Sequence, residues 1–241
     1  YNLVSKELVV ESQDELDSLM ILSALLGKVA AGNKDHIQLQ KEISKISGGI
    51  SASNHFFYDK NEELKGKMTL SAKFLPENTI DTTNLIFEIF NKTNFDLHER
   101  IKELMFQNFM GFQQSIVENG HRFAMLGASS SHNQLSYLQE SMGGLSAISK
   151  FAPFVTNQDD LMKKEIEKVE TMYKKLESMK SELLFVSNEK LTKDQINAIR
   201  EIDFEKDGNS KVNVNFTKTF NKIAFPINTG LLYTSDAADD R

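Results

Sequence analysis

Between Ile50 and Phe74 the apolar residues of this chain stop recurring every third or fourth position and begin to alternate. Ile50, Ala52, Asn54, Phe56 and Tyr58 interleave with Ser51, Ser53, His55 and Phe57. After a turn-rich Asp-Lys-Asn-Glu-Glu link, Leu64, Met68, Leu70, Ala72 and Phe74 alternate again. A period of two marks a strand with one buried face, and two such runs joined by a short polar link predict an antiparallel hairpin. The pattern is helical before it and mostly helical after it, so the hairpin has to be covered by helices.

Residues 3–10 have the β-branched and apolar character of a strand. A helix is predicted over about 14–31, capped by Ser12, with Leu16, Leu19, Met20, Ser23 and Leu26 on one face. Ile21, Leu22, Leu25 and Val29 extend its apolar surface well round, as in a helix covered on several sides, and Gly32-Asn33 stops it. A shorter helix carries Leu39, Ile43 and Ile46 and ends at Gly48-Gly49. Beyond Pro76, Leu85, Ile86, Ile89 and Phe90 mark one helix. Ile101, Met105, Phe109, Phe112 and Ile116 mark a long second one, broken near Asn119-Gly120. Short helices are expected over 121–129 and 133–141, and a charged one over 158–180 with Met162, Ile166, Val169, Tyr173 and Leu176 as its stripe. Residues 183–186 read as a short buried strand, 193–202 as a helix and 206–210 as a loop; Val212, Val214 and Phe216 alternate weakly. No internal repeat or low-complexity segment occurs. Strands interleaved with helices and a hairpin, without regular βαβ units, predict an α+β fold: a largely antiparallel sheet with helices packed on one face.

Composition narrows the partners. With 241 residues the chain is long enough for a real core, and 40% hydrophobic and 26% charged residues are ordinary for a globular protein. A formal charge of −6 argues against nucleic acid as a partner, and no apolar run approaches bilayer length, which argues against a membrane span. The absence of cysteine excludes disulfides and thiolate chemistry and fits a soluble protein of a reducing compartment, such as cytoplasm or an organelle matrix, without proving one. The chain opens on Tyr1 rather than Met, which suggests truncation. After Gly230 its character changes abruptly, and LLYTSDAADD reads either as a translated sequencing adapter or as an acidic tail; residues 1–230 are taken as one domain and 231–241 as the added tail.

Catalytic chemistry is hard to find. A zinc hydrolase needs two imidazoles one helical turn apart with a carboxylate nearby, but His36, His55, His98, His121 and His132 are nowhere within five residues of one another. His98-Glu99 opens like a zincin motif, yet Lys102 puts a cation where the second ligand belongs; a solvated helix face is the plainer reading. No G-x-S-x-G elbow and no phosphate-binding glycine loop occurs. Ser129, Ser130 and Ser131 beside His132 read as packing or capping residues, and Gly143-Gly144 and Gly48-Gly49 as tight turns. The Phe, Met and Leu stripes read as core rather than as a greasy ligand groove. No catalytic, metal-binding or substrate-binding residue is therefore assigned.

Several ordered segments nevertheless resemble the presequence-protease branch of the pitrilysin/insulinase metallopeptidases. SGGISAS (47–53) resembles its G-G-I-S segment, and SAKFLPEN (71–78) resembles S-G-K-A-L-x-x-N with Ala72 in the glycine's place. NGHRFAMLGASSS (119–131) resembles S-G-H-x-x-A-x-x-x-A-S-S with Asn119 for the serine, ESMGGLSAI (140–148) carries G-G-L-S, and AFPIN (224–228) resembles P-x-x-V-N. The resemblance implies four homologous α+β domains in two halves that close over a peptide-binding chamber, with zinc held in the first domain by an inverted H-x-x-E-H motif. This chain resembles the third, non-catalytic domain. Matching its first helix to the zinc helix puts Ser23, Leu26 and Gly27 at the ligand and base positions, so the family's catalytic residues do not carry over. The implied function is that of a structural domain of a zinc endopeptidase acting on unfolded peptides. Its implied partner is the N-terminal catalytic half, and its zinc lies in that half. The alternative is an inactive peptidase-fold subunit for binding or assembly, which a degenerate zinc motif upstream of Tyr1 would favour.

Overall fold

The computed structural model describes residues 2–156, 158–187, 190–201 and 210–214. Strands β1 (Asn2–Glu7), β3 (Ile50–Tyr58), β4 (Leu64–Ala72) and β5 (Ser181–Phe185) form one antiparallel sheet in the order β3-β4-β1-β5. A second, two-stranded sheet pairs β2 (Val9–Val10) with β6 (Lys211–Val212) in parallel. Nine helices surround them among the described residues: α1 (Gln13–Leu25), α2 (His36–Ile46), α3 (Thr79–Lys92), α4 (His98–Glu118), α5 (Gly120–Ser129), α6 (Gln134–Gly143), α7 (Ile148–Val155), α8 (Asp159–Glu177) and α9 (Lys193–Arg200). The predicted α+β architecture is what forms.

The hairpin follows its sequence pattern. β3 and β4 pair from Ile50↔Ala72 to Tyr58↔Leu64, with Ile50, Ala52, Phe56, Met68, Leu70 and Ala72 turned toward the core. Asp59 shapes the turn by accepting from the amides of Asn61 (2.8 Å) and Glu63 (2.9 Å), which hold its carboxyl below the usual range, the Glu63 bond contributing most. The core sits between the sheet and the helices. α1 packs against α4, α6, α8 and β3, and Leu16, Leu19, Ile21, Leu22 and Leu25 are fully enclosed. Its N-cap is Ser12, whose Oγ accepts from the Glu15 amide.

One cation lies inside this body. Lys6, in the middle of β1, is 1% exposed. Its Nζ donates to Asn91 Oδ1 (2.9 Å) and the Glu177 carbonyl (3.1 Å) and stands 5.6 Å from the Phe90 ring centre. Burying a charge is tolerable only with such partners.

Four boundaries differ from the sequence expectation. The first helix ends at Leu25, not Ala31: Gly27 takes φ +77°, the left-handed conformation that glycine reaches without strain. The apolar spacing misleads because Leu26, Val29 and Ala31 stay buried after the backbone has left the helix, Ala31 bridging to Lys34 and Thr93. The expected strand over 3–10 divides at Leu8, whose amide bonds the Gly66 carbonyl (2.9 Å) while its carbonyl accepts from Lys211 (3.0 Å). Ser210 fastens this junction: its Oγ accepts from the Gly66 amide (2.8 Å) and reaches the carbonyls of Leu8 and Gly66 (both 3.0 Å). The strand expected at 183–186 is β5, at the sheet edge and half open to solvent. Finally, α7 has no counterpart in the sequence reading, because Pro153 lies inside it. The expected Phe216 alternation, the loop over 206–209, the 224–228 segment and the 231–241 tail lie outside the described residues.

Candidate functional site

The positions matched to a zinc helix carry no ligand chemistry. Ser23 Oγ donates to the Met20 carbonyl (2.8 Å), Leu26 is a buried alkyl group, and Gly27 has no side chain. Zinc needs imidazole, thiolate or carboxylate donors, so these residues do not fit it. Among the described residues no three His, Cys, Asp or Glu side chains could share a metal ion. His55 hydrogen-bonds Ser53 Oγ (2.9 Å), and Lys102 of the His98-Glu99 near-motif faces Asp159 at 3.6 Å. Ser129, Ser130 and Ser131 donate to the carbonyls three residues earlier at 3.0, 2.7 and 3.3 Å, so they close the end of α5 rather than arm a nucleophile.

The segment 118–146 instead builds α5 and α6. α5 buries a single residue, Phe123, which meets Phe112 of α4 edge-on at 5.4 Å; Phe112 in turn lies 5.8 Å from Phe151 of α7. This aromatic ladder fixes α5 on α4 and leaves Ala124, Met125, Gly127 and Ala128 facing solvent. Met125 is 69% exposed, and Phe106 and Met110 of α4 are each 50% exposed.

The Gly143-Gly144 turn follows with its own machinery. The Gly144 amide donates to the Glu140 carbonyl (2.7 Å), and the buried Glu140 carboxylate accepts from the Ser146 amide (3.0 Å). A Cβ on Gly144 would fall 2.7 Å from that carbonyl oxygen and 2.6 Å from the carboxylate, so only glycine fits. Beside it, Tyr137 donates to Gln13 (2.9 Å), Gln13 donates to Asp17 (2.8 Å) and Ser141 (2.9 Å), and Asp17 pairs with Lys150. Burial first, and then the Asp17 carboxylate, pushes the Tyr137 phenol above its ordinary pKa. This network ties α6 and α7 to the start of α1. Sequence reasoning missed it because its bonded partners lie up to 133 residues apart.

The remaining distinctive surface is the side of the sheet turned away from the helices. Register places Leu184, Leu3, Ser71 and Ser51 in one row across it, and Glu182, Ser5, Thr69 and Ser53 in the next. Ser51 and Ser71 bond each other at 2.9 Å, and Lys67 pairs with Glu182. β3 ends the sheet, so alternate residues point their backbone N–H and C=O groups away from β4 with no further strand beside them among the described residues. No helix among the described residues is long and apolar enough to cross a membrane.

Known proteins resemble this chain over part of their length. The chain is 29% identical over 135 residues to "Protein HypA" of Clostridium perfringens, covering 55% of this chain and 14% of that protein. It is 28% identical over 144 residues to the mitochondrial presequence protease of Danio rerio, covering 58% of this chain and 14% of that protein. The matches thus span about a seventh of those relatives' length. A crystal structure of a conserved protein from Enterococcus faecalis V583 shares the fold, with a TM-score of 0.52 at 14% identity over 85% of this chain and 47% of that one. The family model for the domain associated with peptidase family M16, subfamily C, matches residues 6–153, more than half of the sequence, and the chain belongs to that family.

Proposed function

We propose that this domain is a non-catalytic wall of a zinc endopeptidase that degrades unfolded peptides in an enclosed chamber. The observation that carries the proposal is a family-typical fold whose zinc-helix positions hold Ser23, Leu26 and Gly27. A domain kept without its metal chemistry acts through shape and contact. Zinc and the water-activating carboxylate then belong to an N-terminal catalytic half, which docks on the apolar surface of Phe106, Met110 and Met125. The hydroxyl-rich sheet face and the free edge of β3 suit a chamber lining. Backbone groups at an edge pair with any extended peptide, so selection by side chain is loose, and enclosure excludes folded proteins by size. A soluble protein of a reducing compartment, without nucleic-acid or membrane partners, completes the reading.

The complete protein is expected to cleave an unstructured peptide in a chelator-sensitive manner and to spare a folded domain of equal length. The 241-residue chain alone is expected to do neither and to bind no stoichiometric zinc. Chelator-sensitive cleavage by the chain alone, or a complete reading frame lacking the zinc motif, overturns the proposal.

A further inference from the structure

A cavity of about 510 Å³ opens where α6, the turn after it and α7 face the start of α1. Its lining includes Glu140, Ser141 and Ser146 together with two half-buried aliphatic residues, Leu145 and Ile148. The unusual member is Glu140. It is only 6% exposed, yet no lysine, arginine or histidine pairs with it among the described residues. One carboxylate oxygen accepts from the Ser146 amide (3.0 Å), the one hydrogen bond that its carboxylate makes with the described residues. The second oxygen is not enclosed by protein and is left to the cavity that Glu140 lines. A charge buried to this degree ordinarily has a counter-charge.

The carboxylate is also held in place. A Cβ on Gly144 would fall 2.6 Å from its oxygen and 2.7 Å from its Cγ, so the turn packs directly against the side chain. The neighbouring cation offers no compensation: Lys150, also in the lining, is paired with Asp17. Tyr137, on the same wall, has its phenol raised by burial, then by Asp17 and then by Glu140, so the potential there is negative.

We infer that this cavity binds an unbranched alkylammonium ion, with Glu140 as its counter-ion and Leu145 and Ile148 against its methylene groups. A metal ion would need several ligands, and no three His, Cys, Asp or Glu side chains could share one among the described residues. A guanidinium fork would want both carboxylate oxygens, one of which the Ser146 amide already occupies. An ammonium group is a point charge and needs only the oxygen that is left. The same chemistry has two sources, a free alkylamine and the lysine side chain of a partner. The inference needs neither zinc nor a catalytic half, so it stands or falls apart from the proposed function.

The test titrates the whole 241-residue chain, labelled with nitrogen-15, with n-butylamine at neutral pH, where the amine is a cation. n-Butanol, with the same chain and no charge, is the control. Butylamine is expected to bind about tenfold more tightly than butanol and to move the Gly144 and Ser146 amide resonances most. Glu140→Gln keeps the shape and an acceptor for the Ser146 amide, and should erase the preference. Ser149→Trp, at an exposed position of the lining, should weaken both ligands at least about fivefold at an unchanged melting temperature. It leaves Glu140 intact and so keeps the test decisive if the Glu140 variant fails to fold. Equal affinity for amine and alcohol, no binding of the amine, or a preference that survives Glu140→Gln overturns the inference. Unchanged binding by Ser149→Trp overturns the placement in the cavity. Nα-acetyl-lysine methylamide binding as tightly as butylamine assigns the site to a partner's lysine, and its exclusion assigns the site to free amines.

Discussion

The sheet with α1, α3 and α8 contrasts with the α4–α5 pair. In α3 eight of fourteen residues are buried, whereas α5 buries one of ten. The first region gains its stability from enclosure. In the second, α4 still buries Ile101, Leu104, Met105 and Ile116, but α5 is held through Phe123 against Phe112, and Phe106, Met110 and Met125 stay in water. A chain that invests its apolar residues so unevenly has one part built to fold and another built to be covered. Part of the family resemblance falls on segment 118–146, which contains the sparsely buried α5.

Substitutions can break this comparison. Leu22→Ala in α1 removes a fully buried side chain and should cost about 2–5 kcal/mol in denaturant unfolding. Phe106→Ser on the exposed side should change stability by no more than about 0.5 kcal/mol. Equal losses would mean that the two regions do not differ as described.

Tyr173 sharpens the contrast within the body. Its hydroxyl accepts from the Thr93 amide at 2.7 Å, and burial pushes its pKa up to about 12. Tyr173→Phe leaves that amide without its acceptor and should cost about 1–3 kcal/mol at neutral pH. Because the folded state favours the neutral phenol, the stabilisation is complete below the unfolded value near 10 and is lost as pH rises toward about 12. The variant should therefore show a flatter alkaline decline, measured by unfolding across that window.

Two glycines give the smaller effects, with opposite signs. Gly144→Ala forces a methyl group against the Glu140 backbone and should destabilise by about 1–3 kcal/mol. Gly111→Ala adds a methyl group in open space on a helix and should stabilise by about 0.5–1 kcal/mol. Thermal melts of the pair test whether α4 is uncrowded at Gly111 while the Gly144 turn is not.

Much of the body is legible in sequence because period and burial coincide there. The stripe Met162, Ile166, Val169, Tyr173 and Leu176 is buried as expected, and so are Met68, Leu70 and Ala72 of the hairpin. Legibility ends where burial outlasts the element, as at Val29 and Ala31 beyond the end of α1. It ends again at the apolar run of β5, where Leu184 and Val186 are more than half exposed. An apolar run does not say whether its cover comes from the same domain. The functional surfaces are less legible still: the stripe along α4 reads as core, and only its alternate faces are open. The cavity beside Glu140 depends on Gln13 and on Lys150, which come together only through the tertiary fold.

Ser210 has a mechanical consequence. Through Gly66 and Leu8 it rivets the end of the described chain to the midpoint of the structure rather than to a loose margin. Tension applied beyond Val214 would reach β4 and the β1–β2 junction at once, loading the parallel β2–β6 pair in shear.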